Sequence, residues 1–126
     1  MAIEIDILDE AEKVLLEGGF QKKEAGPVRD KTKPHCMLGA ISCALYMRGL
    51  KAADISDITN HDIVGLIPVC AGTVISAIAR NIPNVVYSLP EAIIIFNDKP
   101  ETTLNDVLDV LHKAQIELKE RGVGAS

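Results

Sequence analysis

Leu8, Ala11 and Leu15 recur at helical spacing between Ile5 and Glu17, and charged residues fill most of the positions between them. That pattern predicts an amphipathic helix with one buried face. Asp6 reads as its N-cap with Asp9 three residues on, and Gly18-Gly19 as its stop. Between Pro34 and Arg48 the pattern changes. Leu38, Ile41 and Leu45 occupy one side of the helix and Cys36, Ala40, Cys43, Ala44 and Met47 another, so the segment is apolar nearly all round. A helix of that kind belongs at the centre of a fold. Pro34 suits its first turn and Gly49 its end, whereas an interior Gly39 costs about 1 kcal/mol against alanine unless another backbone packs close upon it. The sequence therefore predicts a close helix crossing at Gly39-Ala40.

The second half is less regular. Residues 54–66 read as a polar turn entering a short helix with Thr59 or Asn60 as cap, and Pro68 restarts a helix that runs to Ala79 or Arg80. Val85 to Ser88 and Ala92 to Phe96 are β-branched enough to be extended, but the runs are short and Pro90 separates them. Thr102 or Thr103 caps a last helix with Leu104, Val107, Leu108, Leu111 and Ala114 as its stripe, out to about Arg121. Phe20 to Pro34 form a long connection with a short extended piece at Phe20 to Lys23. The expected fold is mainly α: a small bundle of four to five helices around a central apolar helix, with at most a short strand pair. Residues 1–126 are expected to form a single helical domain, with 122–126 as a flexible tail.

Composition narrows the function classes. The 126 residues are 48% hydrophobic and 25% charged, enough apolar material for one ordinary core. A net charge of −5 supplies no positive field for a phosphate backbone, and Phe20, Phe96, Tyr46 and Tyr87 are too few aromatics for a base-stacking platform. Nucleic acid is thus not an expected partner. Lys22, Lys23, Arg29, Lys31 and Lys33 form a local basic stretch, broken by Glu24 and Asp30, that reads as a solvated loop. The acidic start, MAIEIDILDE, lacks the basic and apolar regions of a secretory leader. The longest uncharged run, Ile63 to Ala79, is interrupted by Gly65, Pro68 and Gly72 and falls short of the roughly 20 residues a membrane span needs. A cytoplasmic protein without membrane association is expected. Three cysteines, an odd number without a leader, are expected to stay reduced.

His35-Cys36, at the mouth of the apolar helix, is the sharpest chemical candidate. A helix N-terminus and a neighbouring imidazolium both stabilise a thiolate, which is how cysteine nucleophiles are prepared. A complete site also needs a base and an orienting group; His35, His61 or His112 and Asn97 or Asp98 supply the residue types. The alternative is that Cys36 is a small hydrophobe among Met37, Leu38 and Ile41. Asn97-Asp98 likewise serve as turn formers that bond their own backbone. The histidines and cysteines show no metal-ligand spacing, and neither a phosphate-binding glycine loop nor a nucleophile elbow occurs. No cofactor or metal is expected.

The first helix ending in EGGFQK, the central PHCMLGAISCA and the closing FNDKPETTLNDVLDVLHKA together resemble a family of small uncharacterised actinobacterial and phage proteins, a domain of unknown function. Gly19-Phe20, Cys36 with Gly39-Ala40, Asn97-Asp98, and Thr103 with Val107, Leu111 and Ala114 stand at that family's motif positions; Phe20 and Phe96 stand where tryptophan is expected. The resemblance implies a helical domain and brings no activity. It links Cys36, Gly39 and Asn97-Asp98 as features of one design. The resulting reading is a non-enzymatic accessory or interaction protein, self-associating, with a phage among its plausible sources and Gly39, Ala40, Asn97 and Asp98 as binding residues. Two rivals stand beside it: a cysteine-dependent hydrolase or transferase using Cys36, His35, Asn97 and Asp98, and a protein that sequesters a small molecule. The expected partner is a second copy or another protein.

Overall fold

The computed structural model of the chain describes residues 3–23, 30–48, 69–83 and 91–122. Within them run five helices: α1 (Ile3–Gly18), α2 (Met37–Met47), α3 (Val69–Arg80), α4 (Glu91–Asp98) and α5 (Leu104–Glu120). No strand occurs among the described residues; the extended pairing there is one parallel bridge between Phe20 and His35. The expected helix in 54–66, the extended run at Val85 to Ser88, His61, Gly49 and the tail beyond Gly122 lie outside the described residues.

The mainly helical bundle with a buried apolar helix is the architecture the hydrophobic pattern predicted. Every residue of α2 from Met37 to Leu45 is buried. Its one hydroxyl there, Ser42 Oγ, donates to the Leu38 carbonyl one turn back at 3.0 Å, so the polar atom is satisfied inside the helix. α1 lays Ile5, Leu8, Ala11 and Leu15 into the core and packs against α2, α3 and α5. Arg80 on α3 grips both carboxylate oxygens of Glu117 on α5, Nε to Oε1 at 3.1 Å and Nη2 to Oε2 at 2.6 Å. The partly exposed pair contributes at most about 1 kcal/mol and fixes orientation more than stability.

Two local expectations need correction. Asp6 is not the N-cap of α1, because the helix already begins at Ile3; Asp6 instead pairs with Arg48 at 3.2 Å, tying α1 to the end of α2. Ala92 to Phe96 are helical rather than extended. Their β-branched side chains favour a strand only when no better burial is on offer. As a helix, Ile93 and Asn97 stand one turn apart on the same buried face, against α2, and Ala92 joins them in the interior. α5 begins as expected: Thr103 accepts from the Asp106 amide at 3.2 Å, and Asp106 accepts from the Thr103 amide at 2.9 Å, a capping box.

Gly18-Gly19 do more than stop a helix. Gly19 has φ +101°, a left-handed conformation that glycine adopts without strain. At Gly18 the segment before α2 crosses so closely that an added Cβ would press into the Lys33 carbonyl oxygen and lie 2.7 Å from the Lys31 carbonyl oxygen. Backbone on both sides cannot yield as a side chain can. Gly18→Ala is therefore expected to destabilise the fold by about 1–3 kcal/mol, read as a melting temperature lower by several degrees. Gly72, exposed on α3 with open space around it, is the control. There alanine should raise stability by roughly 0.5–1 kcal/mol. A Gly18→Ala protein that melts with the parent would contradict the close crossing.

Candidate functional site

α2 begins with Cys36 as its N-cap. The Cys36 backbone is extended, with φ −83° and ψ 177°, its carbonyl accepts the Ala40 amide at 2.8 Å, and its Sγ accepts the Gly39 amide at 3.3 Å. A helix end leaves its first amides without intrahelical partners. The Met37 amide, the first of the helix, is met by a residue sixty positions away: Asn97 Oδ1 accepts it at 2.9 Å in a buried contact. The last turn of α4 thus caps the first turn of α2.

The amide nitrogen of Asn97 and one carboxylate oxygen of Asp98 are also engaged. Asn97 Nδ2 donates to Asp98 Oδ1 at 3.0 Å and to the Gln21 carbonyl at 3.4 Å. An amide side chain with an N–H on one side and a carbonyl on the other can be oriented in one way only. Asp98 Oδ1 also accepts the Lys23 amide at 2.8 Å. Lys23 is held at φ +71°, in the left-handed region that costs a side-chain-bearing residue on the order of 1–2 kcal/mol. Lys22 Nζ donates to the carbonyls of Lys99 and Pro100, just past the end of α4. Residues 20–23 therefore form a strap, bridged on one side to His35 and bonded on the other to the end of α4. The expectation that Asn97 and Asp98 bond their own turn is corrected here: they end a helix and reach across to two other segments. The turn after α4 is closed instead by Thr102, whose Oγ1 donates to the Phe96 carbonyl at 2.7 Å.

A cleft of about 100 Å³ lies at this corner, lined by Lys23, Cys36, Leu38, Ile93, Ile94, Asn97 and Asp98. It brings together three of the residues singled out in the sequence, Cys36, Asn97 and Asp98. Gly39 and Ala40 are buried within α2 and are not part of the lining. Among the described residues no imidazole lines the cleft. His35 is fully buried beside the strap, and His112 stands on the exposed side of α5 near Glu12. Burial pushes the Cys36 thiol above its ordinary value; the Gly39 and Leu38 amides pull it back, and the Asp98 carboxylate pushes it up again. Among the described residues no three histidine, cysteine, aspartate or glutamate side chains are placed to hold a metal ion. No helix there is long and apolar enough to cross a membrane.

Lys23, Gln21 and the aliphatic walls escaped sequence reasoning. Their partners lie on the order of 75 residues away, as with the Lys23 amide on Asp98, and no periodicity encodes such a pairing. The segment at 20–23 was legible as charge and as a short extended piece, and not as a partner of α4.

Fold and site together define a mainly helical protein whose buried helix α2 is capped by the end of α4. The chain belongs to DUF6197, a family of unknown function, which it matches over residues 3–116. Neither a curated protein nor a solved structure shows a significant match to it.

Asn97→Ala would leave the buried Met37 amide without its acceptor, and should cost about 1–3 kcal/mol. Cys36→Ala removes the sulfur that the Gly39 amide meets at 3.3 Å and the Leu38 amide also approaches, and should cost about 1 kcal/mol, as an ordinary cap does. Thermal unfolding of the two variants checks the order: Asn97→Ala lower by several degrees, Cys36→Ala much closer to the parent. The reverse order would mean that the thiol, not the amide, organises the corner.

Proposed function

We propose that the chain is a non-enzymatic accessory or interaction protein, working by binding rather than by chemistry at Cys36. One observation carries the reading: Asn97 and the bonded oxygen of Asp98 are committed to backbone amides of Met37 and Lys23. An orienting residue in a cysteine enzyme would be turned toward a base. Among the described residues no imidazole lines the cleft for either to orient, and the thiol they flank is pushed above its ordinary value, by burial first and also by the adjacent carboxylate. Asn97, Asp98 and Cys36 act as a corner brace that shapes the cleft.

Self-association belongs to the same reading. Leu16 on α1 and Ile116 on α5 are 63% and 42% exposed. Leu16 stands one turn beyond Glu12 on α1 and Ile116 adjoins Gln115 on α5, and Gln115 Nε2 donates to Glu12 Oε2 at 2.7 Å across the seam between the two helices. A second copy covering that seam would remove both from water. A phage-encoded accessory role is part of the same proposal.

Thiol kinetics on the native protein test the reading, with a Cys36→Ala variant subtracting the other cysteines. Cys36 should react more slowly than a free thiol at neutral pH, and its rate should climb only as the pH passes the ordinary thiol range. The thiols of Cys36 and Cys43 are both raised in the folded state, mainly by burial. Their contribution to stability is therefore complete below the ordinary thiol value and lost as pH rises through the raised one. A Cys36 that reacts faster than free thiol at pH 7 would overturn the non-enzymatic reading. Light scattering on the same sample should give a mass above the monomer; a monomer at every concentration would remove self-association from it.

A further inference from the structure

The cleft has walls of two kinds. Leu38 from α2 and Ile93 and Ile94 from α4 are aliphatic, and Cys36, kept neutral, adds a fourth weakly polar surface. Its volume of about 100 Å³ is smaller than the roughly 150 Å³ apolar cavity that accepts benzene, so the enclosed part of a guest is on the order of four heavy atoms. A short branched alkyl group has that size.

The polar lining decides what the rest of the guest must carry. Asn97 has spent both its oxygen and its nitrogen on Met37, Gln21 and Asp98. The first amides of α2 are spent as well, Met37 on Asn97 and Gly39 on Cys36, so this helix start is closed to an anion. What remains is charge. Asp98 uses Oδ1 for the Lys23 amide and the Asn97 amide nitrogen, and Oδ2 takes part in neither bond. Lys23 has its backbone anchored to Asp98 in a left-handed conformation, and the residue borders the same cleft with an exposed, charged side chain. Strain of this kind persists where the surroundings over-determine it, and it concentrates at binding sites. A carboxylate guest alone would meet Asp98, and an amine guest alone would meet the Lys23 ammonium. A guest carrying both charges satisfies both.

We propose that the cleft binds a free aliphatic amino acid with a short branched side chain. Its ammonium pairs with Asp98 Oδ2, its carboxylate with the Lys23 ammonium, and its alkyl group packs between Leu38, Ile93 and Ile94. The proposal rests on the reading of the protein as a binding module and names the ligand class for it.

Amide chemical-shift titration of the ¹⁵N-labelled full chain tests it with three probes: L-valine, isobutylamine and isovalerate. L-valine should move the amides of Lys23, Cys36, Leu38 and Asp98 saturably and bind about tenfold or more tightly than either half-molecule. Asp98→Asn keeps an oxygen for the Lys23 amide but loses the charge, and should weaken L-valine by about tenfold or more. Lys23→Gln, distant from the core, should weaken L-valine toward the affinity of isobutylamine and serves where Asp98→Asn does not fold. Absence of saturable shifts at those four amides overturns the proposal, as does isovalerate or isobutylamine binding as tightly as L-valine. So does L-valine affinity unchanged in the folded variants. A slow thiol with no valine response sinks the ligand class alone, whereas a fast thiol sinks the binding-module reading beneath it.

Discussion

The hydrogen bond from the Met37 amide to Asn97 Oδ1 is the contact on which the corner of the molecule depends. α2 is buried from Met37 through Leu45, so its first amide has no water to turn to. A buried amide left unmet costs about 1–3 kcal/mol, a large share of the net stability of a small domain. Cys36 cannot supply this bond, because its sulfur is engaged with Gly39 one turn in. The acceptor has to come from another element, and the end of α4 brings it.

Much else follows from that bond. Holding Asn97 against Met37 fixes the C-terminal end of α4 beside the start of α2, which sets Ile93 and Ile94 opposite Leu38. It also presents Asp98 to the strap at 20–23, where the carboxylate keeps Lys23 in a conformation it would not otherwise hold. Burial, and to a smaller extent the same carboxylate, push the Cys36 thiol above its ordinary value. A helix N-terminus ordinarily favours a thiolate. Here burial outweighs the Gly39 and Leu38 amides, and the thiol is raised rather than lowered.

The parts of this arrangement that are local were legible in the sequence. The Thr103 cap and the stripe of Val107, Leu111 and Ala114 are read within a few turns, and the all-round apolar run of 37–45 announces a buried helix by itself. Elements decided by tertiary burial were not. α4 carries three consecutive isoleucines and reads as extended, yet it is helical because the helix places Ile93 and Asn97 on one buried face. Asp6 has the chemistry of a cap and is used for an ion pair with Arg48. The grouping of Cys36 with Asn97 and Asp98 was visible as a shared motif, but its purpose depends on which atoms bond, and those bonds span 60 residues or more. Gly18 shows the same limit: glycine at a helix end has a local explanation, which hides the backbone of 31–33 crossing over it.

Hydrogen exchange at the Met37 amide tests the central claim most directly. An amide in the first turn of a helix exchanges readily when only solvent meets it, whereas one held by a buried side-chain oxygen opens only when the packing around it does. The account predicts that Met37 is protected as strongly as the interior amides of α2, and that Asn97→Ala abolishes this protection first at Met37. Exchange of Met37 in the parent protein at the rate of an unprotected first-turn amide would contradict it.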